Sequence, residues 1–272
     1  MATDKKYYTV SSLAKAFGVI EMMARETRWE LGKLAEACGM PKGTLQRILL
    51  TLTELGYVTR ERGQYALSLK LVRLGRDVAD KNNMLTVIQP YCRKLVTAVN
   101  ETVNLCMLNG TRLVVMHQET STHALRLDSA VGTSFSVFPS ASGKVFCAFM
   151  SELDYLRLMQ DIRRENPGLA QSEVDRFSDS LKLVRRDGVA FDFEEVFTGV
   201  RCVSAPVFNY TGEIAAALSC SVPVMRINAD TARHLVDAIS QTARDISKAL
   251  GAKEHRFSTP DGAVLVNTPA RA

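Results

Sequence analysis

No two of the six cysteines stand at CxxC spacing, and only four histidines occur in 272 residues. The thiols, at 38, 92, 106, 147, 202 and 220, lie in apolar surroundings and read as reduced, mostly buried groups of a cytoplasmic protein. His117 and His123 stand six apart near Cys106 and Asp128 but form no ligand-spaced set, so neither metal nor cofactor is expected. "SASGK" lacks the G-x-x-x-x-G-K-[ST] spacing of a phosphate-binding loop. No apolar run reaches the roughly 18 residues of a spanning helix. "MATDKKYYTV" has no apolar h-region, so neither membrane nor secretion is expected. Internal repeats and low-complexity stretches are absent too.

What charge there is lies unevenly. Residues 1–80 hold 13 Lys/Arg against 9 Asp/Glu, and residues 81–272 hold 21 against 20. The surplus of +4 in the first third, within a total of +5, hints at nucleic acid, though such a surplus is often a solvated face.

The stretch "WELGKLAEACGMPKGTLQRILLTLTELGYVTRERGQYALSLKL" (29–71) carries half of that surplus, six Lys/Arg against four Asp/Glu. A helix over 11–26 precedes it, with Leu13, Phe17, Ile20 and Met23 or Ala24 on one face. Glu30–Cys38 reads as a short helix that Gly39 stops. Pro41 suits the first turn of the next helix, which runs to Leu55 with Leu45, Ile48, Leu49, Leu52 and Leu55 inward. "YVTR" and "QYALS" flank "ERG" as a hairpin. Helix, Gly-containing turn, helix and hairpin describe a winged helix-turn-helix, whose second helix leads into the major groove. Its outward face carries Lys42, Thr44, Gln46 and Arg47, with Gly43 leaving room for a backbone. Arg60 and Arg62 sit on the hairpin as a wing for phosphates or the minor groove.

"LAEACGMPKGTLQRILLTLTELGYV" resembles the DNA-binding motif of IclR-type transcriptional regulators. The likeness continues in order through "YALSLKLVRLGR", "ETVNLCML", "LRLDSAVG", "SASGKVFCAF", "FDFEEVFTGVRCVSAPVFN", "GEIAAALSCSVP" and "TARDISKALG", about residues 9–251. It implies an α+β chain: an N-terminal winged helix-turn-helix followed by a GAF-like mixed α/β effector domain. The expected organisation is 1–69 for DNA binding, 70–82 as linker helix, 83–252 as effector-binding domain and 253–272 as a mobile tail. Within the second domain, strands are expected at 102–108, 112–119 and 124–130. Three more lie in "GVAFDF", "VRCVSAPVFN" and "EIAAALSCSV". Helices are expected at 85–99, 141–160, 172–186 and 230–250.

Residues 140–144 lie where a loop becomes a helix, so the amides of Ser142 and Gly143 suit a carboxylate. Lys144 reads as a structural ion-pair partner rather than a ligand counter-ion. Ser219 and Ser221 share one strand face, with Cys220 on the other. By resemblance, the positions of Ser142, Gly143, Asp192, Cys202, Ser219 and Ser221 line the effector pocket. Without that resemblance, Cys202 reads as a core thiol and the serines as ladder positions. Arg126 is open between an ion pair with Asp192 or Glu195 and a ligand contact.

The resulting expectation is a ligand-responsive regulator, read as a repressor of catabolic genes. It binds double-stranded operator DNA as a homodimer or dimer of dimers and senses a small organic acid. The alternative is a small-molecule enzyme using Asp192 and Cys202, with the N-terminal segment as an oligomerisation arm.

Overall fold

The computed structural model describes residues 10–74 and 84–268. The chain divides into two compact units, with the division between Asn82 and Asn83.

In the first unit, α1 (Ser11–Met23), α2 (Leu31–Ala37) and α3 (Lys42–Glu54) precede the hairpin of β2 (Val58–Glu61) and β3 (Gln64–Leu67). A two-residue strand that the sequence did not announce, β1 (Trp29–Glu30), pairs with β3 and completes a three-stranded sheet. Gly39 at φ 61° turns the chain between α2 and α3, and Gly56 at φ 75° ends α3. Leu45, Leu49 and Leu52 bury the inner face of α3 against Leu34, Val58 and Tyr65. Each such leucine contributes about 1.5–3 kcal/mol relative to exposure.

The inner face of α1 differs from the expected one. Val19 and Met23 are buried, whereas Leu13 and Phe17 are more than half exposed. Leu55, expected inward, is also exposed. Leu13, Phe17, Ile48, Leu55, Leu71 and Leu74 instead line an apolar groove within this unit. The period of α1 names an apolar side, but α2 and α3 cover a neighbouring sector of it. The linker helix expected over 70–82 is described only over 70–74; the rest of it lies outside the described residues.

The second unit is one antiparallel sheet of six strands in the order β6-β5-β4-β9-β8-β7. Its strands are β4 (Thr102–Asn109), β5 (Arg112–Glu119), β6 (Ser134–Ser136), β7 (Ala190–Phe193), β8 (Val200–Phe208) and β9 (Ile214–Pro223). One face packs on α4 (Met84–Val99) and α8 (Ala229–Ala249). The other packs on α5 (Ala141–Phe149), α6 (Glu152–Glu165) and α7 (Gln171–Asp187). Buried on both faces, β9 reads as a nearly continuous apolar run broken only by small polar residues. The chain is thus α+β, a winged helix-turn-helix followed by a mixed α/β unit.

Two local expectations need correction. Residues 124–130 form no strand, because the third edge pairing goes to β6, where Leu113 faces Phe135. The stretch read as a mobile tail is docked over its described part. Leu265 is 1% exposed in the core cluster of α4 and α8, within a last short helix α9 (Val264–Asn267). Arg201 donates to the Leu265 carbonyl, Ser258 donates its amide to Arg186, and Phe257 packs on Gly188. Loss of amphipathic period marked the end of regular helices, not the end of burial. Leu265→Ala is expected to destabilise the protein by about 2–5 kcal/mol in urea denaturation; a neutral result would return the segment to the status of a loose tail.

Candidate functional site

In the first unit, Lys42, Gly43, Thr44, Gln46 and Arg47 are all exposed on α3, opposite the buried leucines. An added Cβ at Gly43 would meet nothing within 4 Å, so this surface is open. Arg62 occupies the two-residue hairpin turn at φ 49°, followed by Gly63 at φ 82°. Both central residues at positive φ make a tight turn matched to strand twist. Arg60 stands back from the tip: it faces Tyr65 across the hairpin and lays its guanidinium over that ring at 5.3 Å. Arg28, which the sequence reading did not single out, pairs with Glu61 at 3.0 Å and braces the wing.

The second unit gathers polar groups on the sheet face beneath α5. Register places Asp192, Cys202, Ser221 and Thr102 side by side across β7, β8, β9 and β4. Two residues along, Ser204, Ser219 and Asn104 form a parallel row. Directly paired residues share a face, and so do residues two apart. Cys202 Sγ lies 3.3 Å from Ser221 Oγ, and Ser142 Oγ reaches Ser204 Oγ at 3.2 Å from above. The Cys106 thiol lies beside the Ser142 and Ser219 hydroxyls. Asp192, Cys202, Ser219, Ser221 and Ser142 are therefore brought together. Ser204, Cys106, Asn104 and Thr102 belong to the same patch. Ser204 was discoverable from the period of two after Cys202; the residues of β4 had no such signal.

The start of α5 departs from the expected donor arrangement. Ser140 caps the helix: its hydroxyl accepts from the Gly143 amide at 3.1 Å. The Gly143 amide is thus already engaged, and the amides of Ala141 and Ser142 are the open ones among the described residues. Gly143 matters for another reason. A Cβ there would sit 1.8 Å from the Val137 carbonyl oxygen, so only glycine lets the turn close under the helix.

Charge at the site is balanced by Lys144. This lysine, 3% exposed, is ion-paired with Glu195 and donates to the Phe191 carbonyl at 2.8 Å. Asp192 accepts from the Glu195 amide at 2.7 Å. Arg126 is not part of this group; it lies near Asp128 at 3.9 Å and donates to the His123 carbonyl. The loop that carries it forms no strand to bring it there. Burial pushes the Cys202 and Cys106 thiols up to about 12, so neither is a nucleophile near neutral pH. His117 and His123 meet Glu119 and Asn100 at 3.0 and 3.3 Å. No group of three metal-ligating side chains occurs among the described residues, and no described helix is long and apolar enough to cross a membrane.

Asp192 is pushed up to about 6, chiefly by burial, against the opposing Glu195 amide bond and Lys144. A raised value means the folded state holds the proton more tightly than the unfolded chain. The associated stability is fully present below about pH 4 and is lost as pH rises through about 6. Asp192→Asn has no proton to lose. Its melting temperature is expected to gain on wild type between about pH 4 and pH 7; a constant gap in thermal unfolding would contradict the assignment.

Comparison with known proteins agrees with this architecture. Residues 12–62 match the IclR helix-turn-helix domain, and residues 76–248 match the bacterial transcriptional regulator IclR C-terminal domain. The chain is 29% identical over 257 residues to the HTH-type transcriptional regulator KdgR of Dickeya chrysanthemi, covering 93% of this chain and 84% of that one. It is 28% identical over 258 residues to the transcriptional repressor IclR of Escherichia coli K12, covering 92% and 94%. The crystal structure of Pseudomonas aeruginosa HmgR shares the fold at a TM-score of 0.77 and 24% identity, over 90% of this chain and all of that one.

Proposed function

Because the chain belongs to the IclR family of bacterial transcriptional regulators, we propose that it is an operator-binding repressor of catabolic genes whose DNA affinity is set by a small organic acid. The chain is a DNA-binding regulator by family, not an enzyme, which overturns the alternative based on Asp192 and Cys202. A relative named as a transcriptional repressor supports the sign.

In this reading, residues 1–69 bind DNA, 70–82 link, and 83–252 sense the ligand. The observation that carries DNA recognition is the opposed phase on α3. Leu45, Leu49 and Leu52 are buried, while Lys42, Gly43, Thr44, Gln46 and Arg47 face outward. Gln46 and Arg47 read base edges; Lys42 and Thr44 hold phosphates. Arg62, at the hairpin turn, meets backbone or minor groove, with Arg60 beside it. The apolar groove lined by Leu13, Phe17, Leu55 and Leu71 supports assembly through a second copy as a homodimer or dimer of dimers. Half-sites are then about one helical turn apart.

For the effector, Ser142, Gly143, Asp192, Cys202, Ser219 and Ser221 bound the site. The open amides of Ala141 and Ser142 suit an acid group, and Gly143 shapes the turn beneath them. Asp192 repels a carboxylate and is suited to a hydroxyl or amide at the ligand's other end. A hydroxy acid fits both. Allostery follows if the ligand binds one of two DNA-head geometries more tightly.

Arg47→Ala is expected to weaken operator binding by about 1–3 kcal/mol and to relax preference at one base, read by gel shift. Arg62→Ala is expected to weaken binding to all sequences alike and to lower the salt slope by about one. Unchanged affinity in both variants would exclude this DNA face. Ser219→Ala with Ser221→Ala is expected to abolish the response to a ligand found by thermal-shift screening, leaving ligand-free DNA affinity intact. A double variant that still responds at the same concentration would place the effector elsewhere.

A further inference from the structure

A cavity of about 440 Å³ lies between the later turns of α8, the end of β8 and the segment from Ala252 to Thr259. It shares no lining residue with the polar rows under α5. Its size falls in the range of small-molecule sites, about 300–1,000 Å³.

The walls are of two kinds. Pro206, Phe208 and Phe257 supply apolar surface, and the His255 ring stacks on Phe208 at 4.1 Å between centroids. Two polar atoms in the wall have no partner among the described residues: Ser240 Oγ and His255 Nε2. Ser240 is only 5% exposed. Native structures leave few buried polar groups unpaired, and those that remain ask for an unseen partner.

Charge around the cavity points the same way. Lys248 and Lys253 are exposed at its rim, and neither is ion-paired among the described residues. Arg244 donates to Gln241 at 3.1 Å. Of the carboxylates in the wall, Asp187 is held by Arg186 at 2.6 and 2.9 Å, and Asp245 accepts from Gln241 at 2.9 Å. Glu254 is exposed at the rim. The two lysines are the uncommitted charges best placed for an anion.

We propose that this cavity is a second small-molecule site, taking a carboxylate carried on a flat apolar body with a hydroxyl at its far end. The carboxylate meets Lys248 and Lys253, the body lies against Phe208, Phe257 and Pro206, and the hydroxyl completes Ser240 and His255. The C-terminal segment forms one wall, so occupancy holds that segment down. The proposal is independent of the effector assignment under α5.

The test uses the full chain and the probe 3-fluoro-4-hydroxybenzoate, followed by fluorine NMR line broadening. Broadening at or below about 1 mM is expected with wild type. It is expected to persist in Ser219→Ala with Ser221→Ala, and to weaken at least about fivefold in Lys248→Ala with Lys253→Ala, a loss of about 1 kcal/mol. Because those lysines are exposed, their removal leaves the core untouched. Ser240→Ala, which removes the hydroxyl without adding bulk, is expected to weaken the probe likewise. No broadening with wild type, loss in the serine pair, or indifference to the lysine pair would each overturn the proposal.

Discussion

The register between β8 and β9 is the constraint on which the second unit depends. These strands run side by side in the interior of the sheet, with helices on both faces, and Cys202 faces Ser221 while Ser204 faces Ser219. Side chains alternate faces with a period of two, so a slip of one residue would turn every one of them over. The serines would then press against the apolar faces of α4 and α8, and Val203 and Cys220 would meet Ser142. Neither arrangement could be satisfied without leaving buried hydroxyls unpaired. Register therefore specifies both the core and the polar patch in one step.

Helix α5 closes that patch because its first turn can approach the preceding loop. Gly143 touches the Val137 carbonyl, Ser140 caps the helix, and Ser142 is left aimed at Ser204. Lys144, one residue on, reaches Glu195 and the Phe191 carbonyl. The buried carboxylate of Asp192 is thus near a cation but held mainly by a backbone amide. This explains why burial still dominates its proton affinity. Under the proposed reading, this arrangement takes a ligand that brings a donor to Asp192 and an acid group to the helix start.

The first unit works by a different division. Its small core of leucines, Val19, Met23 and Tyr65 supports α3 and leaves the opposite face polar. The wing is held by Arg28 against Glu61 and by Arg60 over Tyr65, which leaves Arg62 at the turn as its reaching cation. An uncovered apolar groove of Leu13, Phe17 and Leu55 remains on the same unit. Thr44 and Arg47 of α3 line this groove too, so it adjoins the polar face of that helix.

Several features were legible from residues alone. The period of α3, the glycine after α2, the hairpin around Arg62-Gly63 and the parity of Ser219 with Ser221 all follow from local geometry. The resemblance of ordered motifs supplied the family and the membership of Asp192 and Cys202 in one patch. Other features came only with the tertiary structure. The placement of Thr102, Asn104 and Cys106 beside the serines depends on which strand pairs with β9. The outward Leu13 and Phe17 depend on which sector of α1 the neighbouring helices cover. The engaged Gly143 amide and the docked segment around Leu265 depend on contacts far apart in sequence. Periodicity tells which side of an element is apolar; it does not tell which other element will cover that side, because burial is a property of two surfaces and a sequence window describes one.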